Sequence, residues 1–118
     1  MASSDKCELL ESPQALEDAL KKKDRLFVLF YAAWCPFSRE FLAHYVSHAE
    51  QNEPCYVRIL SNDEDAHVQK YGIEVYPTVL YFEKGKLVRR LDGKHLAGLS
   101  RKSLEKFAAE CAVVRKPS

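Results

Sequence analysis

The sequence lacks the features of a membrane protein and of a nucleic-acid-binding protein. Nowhere do about eighteen apolar residues run consecutively, which is the length that a helix needs to span a bilayer. The formal net charge of +1 provides no long-range attraction to a polyanion or a membrane surface. The first ten residues contain no apolar run of signal-peptide length, so we expect a cytoplasmic protein. We therefore expect no nucleic acid and no membrane among its partners.

The sequence also lacks closely spaced cysteine pairs. Secreted mini-proteins use such pairs as disulfide frameworks, and structural zinc sites need two short Cys or His pairs brought together. We therefore expect neither a disulfide scaffold nor a metal site, and we expect no cofactor. Each thiol has to be interpreted from its own surroundings: Cys7, Cys35, Cys55 and Cys111.

The histidines do not change this expectation. His44 and His48 are one helical turn apart, but Tyr45 occupies the place of the glutamate in a His-Glu-x-x-His motif. A solvated polar helix face accounts for this pair better than zinc does. His67 and His95 have no evident partner in the sequence.

The sequence does contain enough apolar residues for one domain, residues 1–118. Hydrophobic side chains make up 47% of the chain, which suffices to bury a core without disulfides at this length. Ser12 followed by Pro13 predicts a helix start. The continuous apolar run at residues 26–31 predicts a strand buried on both faces, and the apolar stripe over residues 38–50 predicts a second helix.

The remaining pattern continues the alternation of strands and helices. It predicts a strand at residues 55–60, a short helix capped by residues 62–65 and ended by Gly72, a hairpin turning at Lys84 and Gly85, and a last helix. This order predicts an α/β fold whose right-handed crossovers place helices on both faces of a central sheet. Reactive groups in such folds collect beyond the carboxyl ends of the strands.

Two motifs stand out in separate parts of the chain, Phe-Tyr-Ala-Ala-Trp-Cys-Pro-Phe-Ser at residues 30–38 and Lys-Tyr-Gly-Ile-Glu-Val-Tyr-Pro-Thr at residues 70–78. Together they resemble the thioredoxin superfamily, and the likeness extends from about residue 9 to residue 112. The resemblance implies the thioredoxin fold, an α/β architecture with a central mixed sheet of about five strands flanked by four helices. It also implies that Pro77 is a cis-proline beside the reactive cysteine, and that the backbone of Tyr76 offers main-chain bonds to an extended substrate.

Cys35 is the residue on which we expect the chemistry to centre, as an exposed catalytic thiol. A cysteine just before a helix start faces unpaired backbone N–H groups and the positive end of the helix dipole, and both favour thiolate over thiol. Ser38 is the second predicted catalytic residue, because its hydroxyl can donate to that thiolate. The opposing interpretation is that Cys35 is an inert, buried, small hydrophobe.

The neighbours of the cysteine predict a peptide-binding groove. Trp34 supplies a flat apolar surface, which Phe37 extends, and Pro36 costs the helix little at its first position. Together with Tyr76 and Pro77, these residues are the expected substrate-binding set for an extended, partly apolar peptide.

Two departures from the family pattern limit the possible chemistry. Ser38 stands where a dithiol enzyme has its resolving cysteine, so Cys35 cannot form a disulfide within the motif. Leu29 stands where thioredoxins and protein disulfide isomerases place a buried Asp or Glu that assists proton transfer at the second cysteine. The two losses are mutually consistent, because that carboxylate has no role without the second thiol.

These features favour a monothiol thiol–disulfide oxidoreductase, with isomerase or deglutathionylation activity. Cys35 would attack protein or glutathione disulfides, and an external thiol reductant would resolve the mixed disulfide. The alternative is a non-catalytic peptide-binding or adaptor module. A third possibility is an iron–sulfur carrier, since Cys-Pro-Phe-Ser is similar to the Cys-Gly-Phe-Ser motif of monothiol glutaredoxins. Trp34 stands where those proteins carry a lysine, and no glycine pair follows Pro77.

The other three cysteines are predicted to be structural thiols. Cys111 falls on the apolar stripe of the last helix, and Cys7 and Cys55 lie in strands. If those strands are neighbours, Cys7 and Cys55 could approach, but the sequence does not determine the Cα separation that a disulfide needs.

Overall fold

The part of the chain that the structure describes forms a mixed five-stranded sheet with two helices on each face. The computed structural model describes residues 7–51, 55–62, 64–93 and 99–115. Its elements in chain order are β1 (Cys7–Leu10), α1 (Pro13–Lys22), β2 (Arg25–Tyr31), α2 (Pro36–Gln51), β3 (Cys55–Leu60), α3 (Ala66–Tyr71), β4 (Thr78–Glu83), β5 (Lys86–Asp92) and α4 (Arg101–Arg115).

The strand order β1-β3-β2-β4-β5 places β2 at the centre of the sheet. β1, β3 and β2 run parallel, whereas β4 is antiparallel to β2 and to β5. The predicted mixed sheet flanked by four helices is therefore confirmed. The carboxyl end of β2 leads directly into Cys35 and α2, so the central strand positions the candidate site.

The two faces of the sheet carry two separate apolar clusters. Alternate residues of β2 supply them, with Leu26, Val28 and Phe30 in one cluster and Phe27, Leu29 and Tyr31 in the other. The first cluster packs against α1 and α3, and the second packs against α2 and α4. A strand that serves two cores must be apolar at every position, which explains the continuous apolar run in the sequence.

The helix boundaries follow the capping residues. Ser12 Oγ accepts the N–H of Ala15 at 3.0 Å and Pro13 is the first residue of α1, as predicted. α2 begins at Pro36, two residues before the predicted start at residue 38, because proline is well suited to the first helical position. Gly72 ends α3 in the left-handed conformation, with φ of 61°.

The expected cap of α3 differs in detail. Asp65 stands at the N-cap position, but its carboxylate accepts the N–H of Asn62 at 2.9 Å and makes no hydrogen bond to the helix. The side chain therefore closes the turn before α3, a competing local bond that Asp commonly makes. Asp63, another residue of the predicted cap, lies outside the described residues.

Candidate functional site

Cys35 lies in the short turn between β2 and α2. Its N–H donates to Ala32 O at 3.2 Å, and its carbonyl accepts the N–H of Arg39 at 3.1 Å, which forms the first turn of α2. The residue is only 7% exposed. The expectation of an exposed cysteine is therefore wrong, because Cys35 packs within the apolar cluster that includes Ala32 and Tyr76.

The loop before β4 faces this cysteine. Cys35 Sγ–H donates to Tyr76 O over a long distance of 3.8 Å, and the peptide bond between Tyr76 and Pro77 is cis. Trp34 is 63% exposed, and its ring meets the ring of Tyr76 edge-on with centroids 5.7 Å apart. The structure thus brings together a covered thiol, an exposed indole and a backbone segment that belong to two distant parts of the chain.

The remaining two residues of the predicted peptide-binding set lie on α2. Pro36 is exposed at the first position of the helix. Phe37 is partly buried and packs against the cluster that contains Cys35. Phe37 therefore packs inward, and of these two residues Trp34 provides the wide exposed apolar surface that was expected from both.

Ser38 has a hydrogen-bond partner that the sequence did not reveal. It is fully buried, and its Oγ accepts the N–H of Ala32 at 3.2 Å. Within the described chain no hydrogen bond joins Ser38 and Cys35, so the expected donation from Ser38 is not seen in this conformation, in which Cys35 is a thiol. The physical reason is that the N–H of Ala32 follows the end of β2 and is buried, and it needs an acceptor.

Leu29 lies where the family pattern has a carboxylate. Its side chain is completely buried in the cluster on the α2 and α4 face, beside Val79 of the paired strand and Phe41. An ionised carboxylate here would have apolar neighbours and would be costly to desolvate. The apolar surroundings therefore match the leucine that the sequence carries.

The other cysteines are set apart from the site. None of the four forms a disulfide. β1 and β3 are neighbours, but Cys7 belongs to the cluster on the α2 and α4 face while Cys55 packs against the opposite cluster. Burial raises the pKa of the fully buried Cys111 to about 12, so almost none of it is thiolate at neutral pH.

His67 has partners that the sequence did not reveal. The ring is buried, its Nε2 lies 3.1 Å from Ser61 Oγ and 3.7 Å from an oxygen of Asp65, and it packs on Phe30. Its Nδ1 is buried and has no hydrogen-bond partner. A serine six residues earlier in the chain carries no recognisable signal, so this contact could be found only in three dimensions.

His48, one member of the pair at His44 and His48, also differs from the expectation. His48 is partly buried, its Nε2 lies 3.0 Å from the hydroxyl of Tyr56, and the two rings meet edge-on. A solvated face is therefore wrong for His48. The described residues include no cluster of three or more side chains able to bind a metal ion, and His95 lies outside them.

The buried His67 predicts a loss of stability in mild acid. Burial lowers the pKa of His67 below its ordinary 6.5, so the unfolded chain binds a proton more readily than the folded chain does. We expect the free energy of unfolding to be greatest above pH 6.5 and to fall as the pH decreases through and below that value. Urea unfolding of the wild type and of His67→Gln at several pH values measures this.

Burial lowers the pKa of His48 as well, so part of the pH dependence belongs to that residue. His48→Gln is therefore the matched comparison, and each single variant should have a shallower pH dependence than the wild type. A His67→Gln variant that retains the full wild-type slope would contradict the assignment.

Gly93 is a residue that sequence reasoning missed. A Cβ built on Gly93 would lie 2.4 Å from Pro77 O, so the backbone after β5 packs directly on the carbonyl of the cis-proline. A single glycine after a strand was the only signal in the sequence, and it did not indicate which backbone segment approaches. The close contact makes residue 93 part of the support of the Tyr76 loop.

We expect Gly93→Ala to destabilise the protein by about 1–3 kcal/mol, because the added methyl group forces backbone apart. Gly72→Ala is the matched control. Gly72 has φ of 61°, but a Cβ added there would meet nothing within 4 Å, so only the local strain of about 1 kcal/mol applies. Chemical unfolding of both variants measures the difference, and a smaller loss in Gly93→Ala than in Gly72→Ala would show that the loop yields without cost.

Comparison with solved structures identifies the fold. The structure is similar to a mutant thioredoxin from Halobacterium salinarum, with a TM-score of 0.74, 25% identity and coverage of 91% of each chain. Thioredoxin from Plasmodium falciparum gives a TM-score of 0.76 at 17% identity, over 87% of this chain and 97% of that one. The predicted thioredoxin fold is confirmed.

A family model described as thioredoxin matches residues 9–110, and the chain therefore belongs to the thioredoxin family. Protein disulfide-isomerase A5 from Mus musculus is 31% identical over 81 residues, which are 64% of this chain and 16% of that protein. The 5'-adenylylsulfate reductase-like 4 protein from Arabidopsis thaliana is 36% identical over 61 residues, covering 50% of this chain and 20% of that protein. This chain thus spans a fifth or less of these relatives.

Proposed function

We propose that the protein is a monothiol thiol–disulfide oxidoreductase that forms mixed disulfides with polypeptides through Cys35. The observation that carries the proposal is the contact between Cys35 Sγ and the carbonyl oxygen of Tyr76. The exposed ring of Trp34 lies against the ring of Tyr76 at the same place. A thiol placed before the first turn of a helix benefits from the positive end of the helix dipole once it ionises. The Tyr76 and Pro77 backbone and the indole supply a surface along which an extended peptide can lie.

The reaction is a thiol–disulfide exchange. Cys35 loses its proton to solvent, and the thiolate attacks one sulfur of the substrate disulfide. A bond forms between Cys35 Sγ and that sulfur, the original S–S bond breaks, and the second substrate sulfur leaves as a thiolate with the electron pair. No net oxidation or reduction of the pair of molecules has occurred at this stage.

The mixed disulfide must then be resolved by a thiol from outside the motif. Ser38 offers an oxygen where a second sulfur would be needed, and that oxygen is engaged by Ala32. In one route a second thiol of the substrate attacks the substrate sulfur of the mixed disulfide, which isomerises the substrate disulfide and releases Cys35 as a thiolate. In the other route an external thiol such as glutathione attacks Cys35 Sγ, so the substrate leaves as its dithiol and glutathione stays bound to Cys35. A second glutathione then frees Cys35 and departs as oxidised glutathione. The partners proposed for this protein are accordingly protein or glutathione disulfides and an external thiol reductant.

A cytoplasmic setting fits this scheme, and we propose it on that basis. A monothiol enzyme depends on a pool of small reducing thiols, which the cytosol maintains. Exchange between sulfur atoms requires no metal and no bound cofactor. Among the described residues, no helix has both the length and the apolar composition needed to cross a membrane.

A peptide-binding adaptor is the second candidate. One specific observation favours it, since Cys35 is only 7% exposed while Trp34 beside it is 63% exposed. On such a surface the indole of Trp34 is accessible to a peptide, whereas the thiol of Cys35 is largely covered. The experiment that separates the two functions is intact-mass analysis of reduced protein mixed with an oxidised peptide. A Cys35 adduct supports the oxidoreductase, and an unmodified protein that still binds the peptide supports the adaptor.

A further inference from the structure

The loop at residues 73–77 joins α3 to β4 and holds Tyr76 O against Cys35 Sγ. Its ends have local anchors. The N–H of Ile73 donates to Val68 O at 3.0 Å, and Thr78 Oγ1 donates to Val75 O at 2.9 Å. The first bond ties the loop to α3 and the second closes the turn before β4, but neither of them reaches β5.

Arg90 makes that connection. Its side chain leaves β5 and donates from Nη1 to Tyr71 O at 2.8 Å and from Nη2 to Gly72 O at 3.3 Å. These are carbonyls at the carboxyl end of α3, where a helix lacks internal donors and where a positive charge is favourable. Arg90 therefore fastens the start of the loop to the outer strand of the hairpin.

The guanidinium is itself held in place. Asp92 accepts from Nε through both of its oxygens at 3.1 Å and from Nη2 at 2.8 Å, which is a charge-assisted, forked pair. Asp92 lies opposite Thr78 in the sheet, and the following Gly93 packs on Pro77 O. One short segment, residues 90–93, thus holds the loop at both of its ends.

We infer that Arg90 is a positioning residue for the peptide-binding loop. By fixing the carboxyl end of α3 to β5, it keeps the Tyr76 backbone in the orientation that an extended peptide needs, so binding requires little ordering of the loop. The inference rests on the proposed function in so far as that function assigns peptide binding to this surface. Arg90 touches neither the thiol nor the peptide directly in this scheme.

The adjacent Arg89 provides a matched control. It lies on the same strand and carries the same charge, but its guanidinium pairs with Glu110 of α4 at 3.1 Å, which is unrelated to the loop. Arg89→Gln and Arg90→Gln therefore change the net charge equally, and each removes one ion pair. Only Arg90→Gln releases the carbonyls at the end of α3.

The test measures peptide binding and thiol reactivity separately. Trp34 is the single tryptophan and touches Tyr76, so its fluorescence reports directly on the loop. The probe is a short unstructured peptide with one cysteine, S-methylated for binding titrations and oxidised to its symmetric disulfide for adduct formation. Iodoacetamide, which needs no peptide surface, measures the intrinsic reactivity of Cys35.

We expect Arg90→Gln to weaken binding of the S-methylated peptide about tenfold, as loss of preorganisation does. Alkylation of Cys35 should change by less than about twofold, and Arg89→Gln should bind as the wild type does. Arg90→Lys, which keeps one charged donor, should recover part of the affinity, and melting curves confirm that the variants fold.

Equal peptide affinities in Arg89→Gln and Arg90→Gln would overturn the inference. A parallel fall in peptide binding and in alkylation would overturn it as well, because the effect would then be on the whole site. Wild-type protein that binds the S-methylated peptide but forms no adduct with the disulfide would refute the proposed oxidoreductase function and leave the role of Arg90 standing.

Discussion

Replacing Cys35 with serine is expected to abolish mixed-disulfide formation, while Cys55→Ser leaves it at the wild-type level. Cys35 is the thiol that lies at the start of a helix and beside the Tyr76 loop. Cys55 begins β3, at the end of the parallel strands opposite to the one that leads into Cys35. Cys111 is buried with a pKa of about 12 and offers almost no thiolate.

The measurement is the yield of covalent adduct when each reduced variant is mixed with the oxidised peptide, followed by mass spectrometric mapping of the modified residue. Cys35→Ala serves as a second replacement, because it removes the thiol without adding a hydroxyl to the apolar cluster around it. Melting curves show whether each variant is folded. Adducts that map to Cys7 or Cys55, or that persist in Cys35→Ser, would contradict the proposal.

The second large effect is expected from Ser38→Cys, which should create a disulfide within the motif and introduce dithiol reductase activity. Ser38 supplies the position of a resolving thiol three residues after Cys35. The gain should be partial, because a buried thiol among apolar groups yields little thiolate to attack the mixed disulfide. The substitution also replaces the oxygen that accepts from Ala32 with sulfur, a weaker acceptor.

Leu29→Asp should raise the rate of the Ser38→Cys variant and do little for the wild type. The family resemblance implies that a carboxylate at position 29 assists proton transfer at the second thiol, whereas the wild type has no second thiol to deprotonate. The substitution also places a charge in a fully buried, apolar position, so it should lower the free energy of unfolding by about 3 kcal/mol or more. Leu29→Asn is the matched control, since asparagine has nearly the same shape as aspartate but its side chain does not take up a proton.

The measurement is the rate of insulin reduction by four proteins: the wild type, both single variants and the double variant. The departure of the double variant from the sum of the single effects gives the coupling energy between the two positions. Melting curves for each protein separate a catalytic effect from unfolding. If Leu29→Asp benefits the wild type and Ser38→Cys equally, the two departures from the family pattern are unrelated. If Ser38→Cys is folded but inactive, and Leu29→Asp adds nothing to it, the adaptor becomes the better account.

Local sequence patterns determined most of the architecture. Continuous apolar character over residues 26–31 predicted the central strand. Successive side chains of a strand point to opposite faces of the sheet, so a strand that is apolar at every position must be buried on both faces. Ser12 and Pro13 predicted the start of α1, since capping acts over three or four residues. The motif containing Cys35 was placed correctly after β2, because the order of strands and helices along the chain limits the possible connections between them.

The environment of each site residue was decided by tertiary packing. Whether Cys35 is exposed depends on how closely the loop with Tyr76 approaches it from more than forty residues away, and the approach left the residue 7% exposed. The hydrogen bond of Ser38 depends on the buried N–H of Ala32 at the end of β2, which needs an acceptor. The contact of His67 depends on the course of the chain after β3, which brings Ser61 to its ring. Neither contact can be predicted from the spacing of residues along the sequence.

The contacts that hold the loop illustrate the same division. Sequence alone determined that this chain has a thiol at a helix start, a proline in a second motif and no second cysteine, because these are properties of residue type and order. Only the tertiary structure decided that Arg90 reaches the end of α3 and that Gly93 lies against Pro77. The physical reason is that hydrogen bonds and close packing are sensitive to differences of a few tenths of an ångström in the distance between segments. The register of β4 and β5 sets these distances, and no local sequence pattern encodes that register.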